Sequence, residues 1–369
     1  MEFNDVRLQY EQLSAEINSA VTHVFSSGRY ILGPQVQSFE EEFARYCSGS
    51  SGIGVASGMD ALRIALAAAG VRARDEVLVP AVSAAATAMA VTQLQAVPIF
   101  VDVDSEDFTM DPEDAMEKRS SRTKAVIPVH LFGMPARLKE LSALRVPLIE
   151  DACQAHGSDA AWGRCGSFGL AAAFSFYPTK NLGGYGDGGM IVTSDRTIAA
   201  QAKLLRNYGQ RENYSSEVLG DNSRLDDLQA SILRVKLKKL DVWNGRRREI
   251  AAIYRKAFAE LPLTLQRERG RSNYHLFVVA TSERDALRRH LQSQDIPTAI
   301  HYPIPLPRQK AFAELRTPPA SCPKAERLCS QAVSLPIHGS LADHEVARVV
   351  ASVQSFFASV PGRRTLAPQ

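Results

Sequence analysis

Lys180 is the residue with the clearest capacity for chemistry, and it lies in the segment Phe174-Ser-Phe-Tyr-Pro-Thr-Lys-Asn-Leu-Gly-Gly-Tyr-Gly-Asp-Gly-Gly189. A short apolar run typical of a buried strand leads into a Pro-containing turn that presents the lysine, and the glycines that follow let the backbone bend sharply or approach a ligand closely. A lysine amine that is desolvated, or that lies beside another cation, has a lowered pKa and can condense with a carbonyl group. An ordinary surface lysine stays protonated, so the prediction that Lys180 is a nucleophile depends on a second group.

The second group is a pair of carboxylates that ends an apolar run upstream, in Val146-Pro-Leu-Ile-Glu-Asp151. Open α/β sheets place their ligand chemistry at the carboxyl ends of parallel strands. An acid at such an end, with a lysine delivered by a later strand, suits pyridoxal phosphate, whose aldehyde Lys180 would hold through a Schiff base. Asp151 would supply the anion opposite the pyridine nitrogen, which keeps the ring an electron sink.

A phosphate site is predicted at Ser57-Gly58-Met59, where a strand, a turn of small residues and an alanine-rich helix follow one another. A helix N-terminus preceded by Ser-Gly offers free amides and the positive end of the helix dipole. The alternative is that Ser57 only caps the helix.

Composition excludes several classes of protein. The chain has 369 residues, 45% of them hydrophobic, and a net charge of +3, which is small for a dedicated nucleic-acid binder. Its five cysteines are scattered without a C-x-x-C pair, so we expect reduced thiols, a cytoplasmic location and no metal site. We see no signal peptide and no apolar run long enough to cross a membrane.

The alternation of strands and helices predicts an α/β fold with a mainly parallel sheet covered on both faces. Two strand-like runs, 171–176 and 190–193, follow one another without a long helix between them, so part of the sheet should be antiparallel. We predict a large domain over residues 1–250, with the N-terminal segment included, and a smaller C-terminal α/β domain over residues 251–369.

Three further segments carry polar residues in places where they can meet a ligand or a partner. Arg29 and Tyr30 lie in an irregular turn, and residues 301–307 form a Pro-rich loop that either covers an active-site mouth or only joins two elements. The run Arg246-Arg-Arg248 resembles a nucleic-acid patch, but we interpret it as a solvated helix face beside Glu249.

Five ordered motifs together resemble the DegT/DnrJ/EryC1/StrS family of pyridoxal-phosphate sugar aminotransferases, over about residues 28–357. Besides the lysine segment, they are Glu150-Asp-Ala-Cys-Gln-Ala-His-Gly157, Ser57-Gly-Met-Asp-Ala-Leu62, Leu205-Arg-Asn-Tyr-Gly209 and Asn222-Ser-Arg-Leu-Asp226. The resemblance implies the aspartate aminotransferase fold, fold type I, with a large mixed sheet of seven strands. The similarity is greatest to members that aminate C3 of nucleotide-linked 3-keto-6-deoxyhexoses.

The resemblance also implies roles for individual residues. Lys180 matches the Schiff-base lysine that shuttles the proton, and Asp151 matches the acid that pairs with the pyridine nitrogen. The remaining cofactor positions, one of them reaching across a homodimer interface, are Gln154 near the phenolic oxygen, Gly58, Met59 and Ser175 at the phosphate, Ala84 at the ring, and Asn222 from the neighbouring subunit. Positions that can line the sugar side are Arg29, Tyr30, Tyr177, Tyr214, Arg224, His301 and Tyr302.

The chain departs from the family pattern at three places near the expected substrate. Ala84 stands where an aromatic residue usually stacks on the cofactor ring, which forgoes about 0.5–1.5 kcal/mol of stacking. Asn213-Tyr214 replaces a Lys-Tyr pair and so removes a cation, although Arg211 is nearby, and Pro307 replaces a histidine. These changes concern the choice of substrate and leave the expected chemistry intact.

We therefore expect a two-stage transamination, in which glutamate leaves as 2-oxoglutarate and the amine passes through pyridoxamine phosphate to the keto group of a nucleotide-linked deoxysugar. An alternative acceptor is a 4-keto sugar or a keto-cyclitol. An alternative of a different class is a non-catalytic, regulatory ligand-binding protein. The presence of Lys180 argues against a sugar dehydratase relative, in which histidine replaces the lysine.

Overall fold

The computed structural model of the protein describes residues 1–212, 214–313 and 321–359. Asn213, one of the departures noted above, lies outside the described residues. Within these ranges, no helix combines the length and the apolar character that crossing a membrane requires.

The strands are short, and most of them are buried. In chain order they are β1 (Ser51–Val55), β2 (Glu76–Pro80), β3 (Val97–Val101), β4 (Thr123–Val126), β5 (Ile149–Asp151), β6 (Asp159–Ala160), β7 (Gly163–Arg164), β8 (Ala171–Ser175), β9 (Gly189–Thr193), β10 (Gln210–Glu212), β11 (Ser215–Ser216), β12 (Thr264–Leu265), β13 (Phe277–Ala280) and β14 (Ala332–Leu335).

The helices surround these strands, and three short 3₁₀ turns lie at Leu131–Gly133, Ser142–Leu144 and Leu306–Arg308. The α-helices are α1 (Arg7–Ser27), α2 (Pro34–Tyr46), α3 (Gly58–Ala68), α4 (Ala85–Thr92), α5 (Pro112–Lys118), α6 (Leu138–Leu141), α7 (Arg196–Leu205), α8 (Asp227–Leu237), α9 (Leu240–Phe258), α10 (Arg284–Ser293), α11 (Lys310–Ala313), α12 (Pro323–Gln331) and α13 (Asp343–Ser359).

Seven strands form the central sheet, in the order β3-β2-β4-β5-β8-β9-β1. Parallel bridges from Val126 to Leu148 and from Val129 to Asp151 join its two halves between β4 and β5. Strand β9 is antiparallel to both of its neighbours, and the other six strands are parallel to one another. The predicted mixed sheet, mainly parallel with an antiparallel part, is therefore confirmed.

The parallel pairing of β5 with β8 brings the ends of the two predicted catalytic segments together. Asp151 pairs in register with Ala173, and the next amide, that of Ala152, donates to the Ala173 carbonyl at 2.9 Å. Strand β8 begins with three alanines, and small side chains let α3 pack closely against the sheet. The segments that follow Asp151 and Ser175 consequently leave the sheet at the same edge.

A separate hydrophobic cluster lies toward the C-terminus. It combines one face of α9, beginning at Ile250, with the antiparallel sheet β12-β13-β14 and with the inner faces of α10 and α13. On this ground we propose the division into a large domain over residues 1–250 and a small domain over residues 251–369.

The interpretation of Arg246-Arg-Arg248 as a solvated helix face is wrong for its central residue. Arg247 is only 2% exposed, and its guanidinium donates to the carbonyls of Tyr274, His275 and Ile337 at 2.8–3.2 Å. Arg248 is half-buried and donates to two further carbonyls. The interpretation treated the three residues as one face, but successive positions of a helix point in different directions, and here the central one points into the core.

We predict that Arg247→Met destabilises the protein by about 3 kcal/mol or more, because three buried carbonyls lose a charged donor. The exposed Lys256 on the same helix offers a control, and Lys256→Met should change stability by less than about 0.5 kcal/mol. Thermal midpoints of the two variants and the wild type measure the difference. Equal midpoints for the two variants would show that the Arg247 contacts contribute nothing.

Candidate active site

Lys180 lies in the turn that follows β8, where its backbone amide donates to the Tyr177 carbonyl at 2.9 Å. Its side-chain amine makes no hydrogen bond or ion pair with any described residue. Desolvation lowers the pKa of this amine, while the nearby Cys153 and Asp151 act in the opposite direction. The net lowering increases the unprotonated fraction, and an unengaged, desolvated amine is the form that attacks a carbonyl.

Asp151 ends β5 and is 5% exposed. The Thr87 hydroxyl donates to its Oδ2 at 2.8 Å, and the Cys153 amide donates to its Oδ1 at 3.2 Å. Thr87 lies in the first turn of α4, whose N-cap residue is Ala84, and its hydroxyl is also 2.8 Å from that of Ser83. The carboxylate has acceptor capacity left and no ion-pair partner among the described residues, so the site suits a ligand that brings a protonated nitrogen.

The N-terminus of α3 is pressed against the ends of β5 and β8. A Cβ built on Gly58 would lie 2.7 Å from the Ser175 Cβ and 2.8 Å from the Cys153 Sγ, so only glycine fits there. Ser57 does cap the helix, since its hydroxyl accepts from the Asp60 amide at 3.1 Å. The cap uses that amide alone, and the first amides of the helix, including those of Gly58 and Met59, point away from the helix for a ligand such as phosphate.

Gln154 and Tyr302 form a second part of the same site. Gln154 Oε1 accepts from the Phe132 amide at 2.7 Å, and its Nε2 donates to the Tyr302 hydroxyl at 3.1 Å. Burial, with a smaller effect from Asp151, raises the pKa of Tyr302 to about 12, so the phenol stays protonated. The Pro-rich loop beginning at His301 therefore carries a side chain to Gln154, which favours the first of the two alternatives left open by the sequence.

His301 lies close enough to Lys180 for their charges to interact. Its Nδ1 is 2.8 Å from the Ser334 hydroxyl, and the Phe3 ring stacks on its imidazole with centroids 6.1 Å apart. Burial, and secondarily the charge of Lys180, lower the pKa of His301 to about 4. The imidazole is consequently neutral at physiological pH and can exchange hydrogen bonds without adding charge.

Six of the other predicted residues have exposed or half-buried side chains, and these side chains make no described contact with the side chains of Lys180 or Asp151, although the Tyr177 carbonyl accepts from the Lys180 amide. Tyr214 is 97% exposed in the turn between β10 and β11, and Asn222 pairs with Asn207 through a single antiparallel bridge. Arg224 donates to the Asn207 side chain at 2.9 Å. We call these three, with Arg29, Tyr30 and Tyr177, the outer group; a role for its members requires a ligand or a second chain.

Sequence reasoning missed several residues that the structure places at the site. Thr87 supports Asp151, and Cys153 lies between Gly58 and the charges of Asp151 and Lys180. Asn4 donates to the Thr179 carbonyl at 3.0 Å, so the N-terminal segment contacts the lysine turn. Cys153 lies within a quoted motif and could have been found there, whereas the contacts of Thr87 and Asn4 span long stretches of chain without a local signal.

Comparison with known proteins gives the same picture along nearly the whole chain. Residues 11–354 match the DegT/DnrJ/EryC1/StrS aminotransferase family. The chain is 43% identical, over 96% of its length and 95% of the relative's, to dTDP-3-amino-3,4,6-trideoxy-alpha-D-glucose transaminase of Streptomyces venezuelae. It is 42% identical, over 96% of its length and 98% of the relative's, to the erythromycin biosynthesis sensory transduction protein EryC1 of Saccharopolyspora erythraea.

A solved structure is also similar. The S. venezuelae DesV crystal structure, in complex with a ketimine intermediate, superposes with a TM-score of 0.95 at 43% identity. The superposition covers 97% of this chain and 99% of DesV. Such similarity confirms the predicted fold type I architecture.

We predict that Lys180→Met raises the pKa of His301 from about 4, because a neighbouring positive charge is removed. The value should stay below 6.5, since burial still opposes the charged imidazole. NMR titration of histidine-labelled protein measures the shift, with His301→Gln to assign the signal. The exposed His23 on α1 provides the control signal, recorded in the same spectra of both proteins. If His301 titrates identically in the wild type and the variant, the charge of Lys180 does not affect the pKa of His301, and the prediction is wrong.

Proposed function

The chain belongs to the DegT/DnrJ/EryC1/StrS aminotransferase family, and from that premise we propose that it transfers an amino group from glutamate to the 3-keto group of a dTDP-linked 6-deoxyhexose. The observation that carries the proposal is that the desolvated amine of Lys180 and the buried carboxylate of Asp151, neither of them in an ion pair within the described residues, lie at the same sheet edge. The product named for the S. venezuelae relative, a dTDP-linked 3-amino sugar, supports this acceptor.

The residues present fit pyridoxal phosphate. Asp151 would hold the pyridine nitrogen, the amides of Gly58 and Met59 with Ser175 would hold the phosphate, and Gln154 would lie at the phenolic oxygen. The close fit of Gly58 against Ser175 supports the phosphate position, since it brings the amide end of α3 next to the Ser175 side chain. Ala84, as the N-cap residue of α4, would face the ring with a methyl group. Bound in this way, the cofactor supplies the electron sink for loss of a proton from the carbon that carries the amine.

The protein's own groups then do the following. Lys180 Nζ removes the proton from that carbon of glutamate and later delivers a proton to the sugar carbon, which a lysine with a lowered pKa can do near neutral pH. Asp151 accepts from the Thr87 hydroxyl and the Cys153 amide, which fix its carboxylate, and its remaining acceptor capacity would hold the pyridine nitrogen of the cofactor. Tyr302 and His301, both neutral, offer hydrogen bonds at the mouth without competing for the proton.

The choice of acceptor depends on residues other than Lys180 and Asp151. A 4-keto sugar or a keto-cyclitol would undergo the same steps, and the outer group, with Ala84 and Pro307, would set the choice. Two relatives have sensory or regulatory names, the sensory transduction protein EryC1 and a pleiotropic regulatory protein of Geobacillus stearothermophilus. A protein that only binds has no use for a nucleophile and a carboxylate at one sheet edge that are both without partners among the described residues. The five free cysteines are in keeping with work in the cytoplasm, which we propose as its location.

We further propose that two copies of the chain complete each other's sites. The segment between β10 and α8 carries Tyr214 and Leu219, which are 97% and 99% exposed, and Asn222 lies just beyond. Large apolar side chains so fully exposed are typical of an interface. In a two-fold dimer, this segment would bring Asn222 to the partner's cofactor phosphate.

Incubation of the protein with pyridoxal phosphate, glutamate and a panel of nucleotide-linked 3-keto sugars, 4-keto sugars and keto-cyclitols tests the function, with the amine detected by mass spectrometry. We expect amination of the dTDP-linked 3-keto-6-deoxyhexose. Lys180→Ala should lower turnover at least about 10²–10⁴-fold, because the general base is lost, while the exposed Lys203→Ala on α7 should match wild type. Turnover by Lys180→Ala at the wild-type rate would refute the assignment.

Mixed dimers test the shared site. If Lys180→Ala and Asn222→Asp chains are each inactive, a refolded equimolar mixture should recover about a quarter of wild-type activity, since half of the dimers are hybrids with one intact site. A mixture of Lys180→Ala with Lys180→Met provides the control and should recover none. Absence of recovery, with hybrids demonstrated by mass spectrometry, would place both residues in a site made by one chain.

A further inference from the structure

Three asparagines form a buried cluster beside the lysine turn, and we call Asn181, Asn244 and Asn273 the amide cluster. Their exposed fractions are 2%, 0% and 0%. Asn181 Nδ2 donates to Asn244 Oδ1 at 2.8 Å and to the Asn273 carbonyl at 3.1 Å. Asn181, the residue directly after Lys180, is therefore enclosed by protein and bonded to other protein groups, whereas the neighbouring lysine remains available to a ligand.

The amide cluster closes into a ring on the backbone of the Asp151 loop. Asn244 Nδ2 and Asn273 Nδ2 both donate to the His156 carbonyl, at 2.8 Å and 3.1 Å. His156 lies in the motif from Glu150 to Gly157, so its carbonyl belongs to the segment that carries Asp151 and Gln154. The ring therefore joins the segment of the proposed base to the segment of the proposed pyridine partner.

His275 connects the ring to the small domain. Its Nδ1 lies 3.0 Å from Asn181 Oδ1, and its backbone amide donates to Asn273 Oδ1 at 3.1 Å. Burial and the charge of Lys180 hold the pKa of His275 well below its usual range, so the imidazole is neutral. Because Asn181 presents only its oxygen to this neutral imidazole, Nδ1 carries the proton and donates.

Two glycines leave the space that the amides occupy. A Cβ on Gly157 would lie 2.7 Å from Asn244 Nδ2, and a Cβ on Gly133 would lie 1.9 Å from Asn273 Oδ1. The cluster is thus close-packed as well as hydrogen-bonded. A buried polar network with its members satisfied is rigid and specifies one arrangement, whereas a gap in it is costly.

We propose that Asn181, acting through the amide cluster, is a positioning residue that fixes Lys180 relative to Asp151. The proposal rests on the proposed function, because proton transfer by Lys180 is the step that requires this geometry. A misplacement of about 1 Å in a reacting group costs about 100-fold in rate. A cluster that only stabilised the fold would have no reason to connect the Lys180 segment with the Asp151 segment rather than any other two segments of the large domain.

The experiment compares Asn181→Ala and Asn244→Ala with Tyr254→Phe, all loaded with pyridoxal phosphate. Tyr254 is a matched control because it is 0% exposed and its hydroxyl donates to the Pro336 carbonyl at 3.0 Å within the small domain. We expect Asn181→Ala to lower kcat about 100-fold while KM for glutamate changes less than about threefold. The pH midpoint of the visible absorbance of the loaded protein, which reports the lysine and its cofactor, should shift as well.

The control should lower the thermal midpoint and leave kcat and the pH midpoint unchanged. The double variant Asn181→Ala/Asn244→Ala should lose no more activity than Asn181→Ala, since both act through one network. If Asn181→Ala does not fold, Asn244→Ala carries the comparison, because it leaves the lysine segment unaltered in sequence.

A lowered thermal midpoint with wild-type kcat and pH midpoint in both asparagine variants would overturn the positioning role alone. Failure of the wild-type protein to bind pyridoxal phosphate or to transaminate any member of the panel would overturn the proposed function, and the positioning role with it. The two failures are distinguished before any variant is made.

Discussion

The pairing of β5 with β8 is the constraint on which the rest of the site depends. It sets Asp151 opposite Ala173 and so brings the ends of two strands, with the loops that follow, to one edge of the sheet. The strand pairing is made by backbone hydrogen bonds between buried residues, which leaves the side chains beyond the strand ends free for other contacts. A shift of one residue would turn Asp151 to the opposite face of the sheet.

The residue before Asp151 shows how that register is held. Successive side chains of a strand point to opposite faces, and Glu150 points away from Asp151. Its carboxylate accepts from the amides of Gly166, Phe168 and Gly169 at 2.7–2.9 Å and lies 2.8 Å from His130. One acid of the Glu-Asp pair thereby uses its acceptors to anchor the strand, while its neighbour keeps acceptor capacity for a ligand.

The sequence was sufficient to predict the fold and to place the two proposed chemical groups at strand ends, because both features are encoded locally. The alternation of short apolar runs with helical periodicity predicted the mixed sheet, and strand ends followed by Asp151 and by Lys180 predicted a common edge. The amide cluster could not be predicted in this way, since Asn181, Asn244 and Asn273 are far apart in the chain and asparagine is usually an exposed residue. Arg247 was misinterpreted for the same reason. A charged residue in a sequence is usually exposed to solvent, and only the folded structure shows the three backbone carbonyls that accept from this guanidinium. The outer group stays a prediction, because its contacts require a second chain.

The electrostatics of the site favour occupancy by one particular kind of molecule. Among the residues that the structure describes, the buried carboxylate of Asp151 has no cationic partner and the desolvated amine of Lys180 has no anionic one, and each of these conditions is costly. If Asp151 and Lys180 formed a salt bridge, both costs would fall, but the amine would stay protonated and neither group would remain available. Because they are apart, both groups can bind a ligand at one sheet edge, next to the first amides of α3. A ligand that carries a protonatable ring nitrogen, an aldehyde and a phosphate has one partner for each: the carboxylate, the amine and the helix amides. By linkage, such a ligand should stabilise the folded chain in proportion to the logarithm of its concentration.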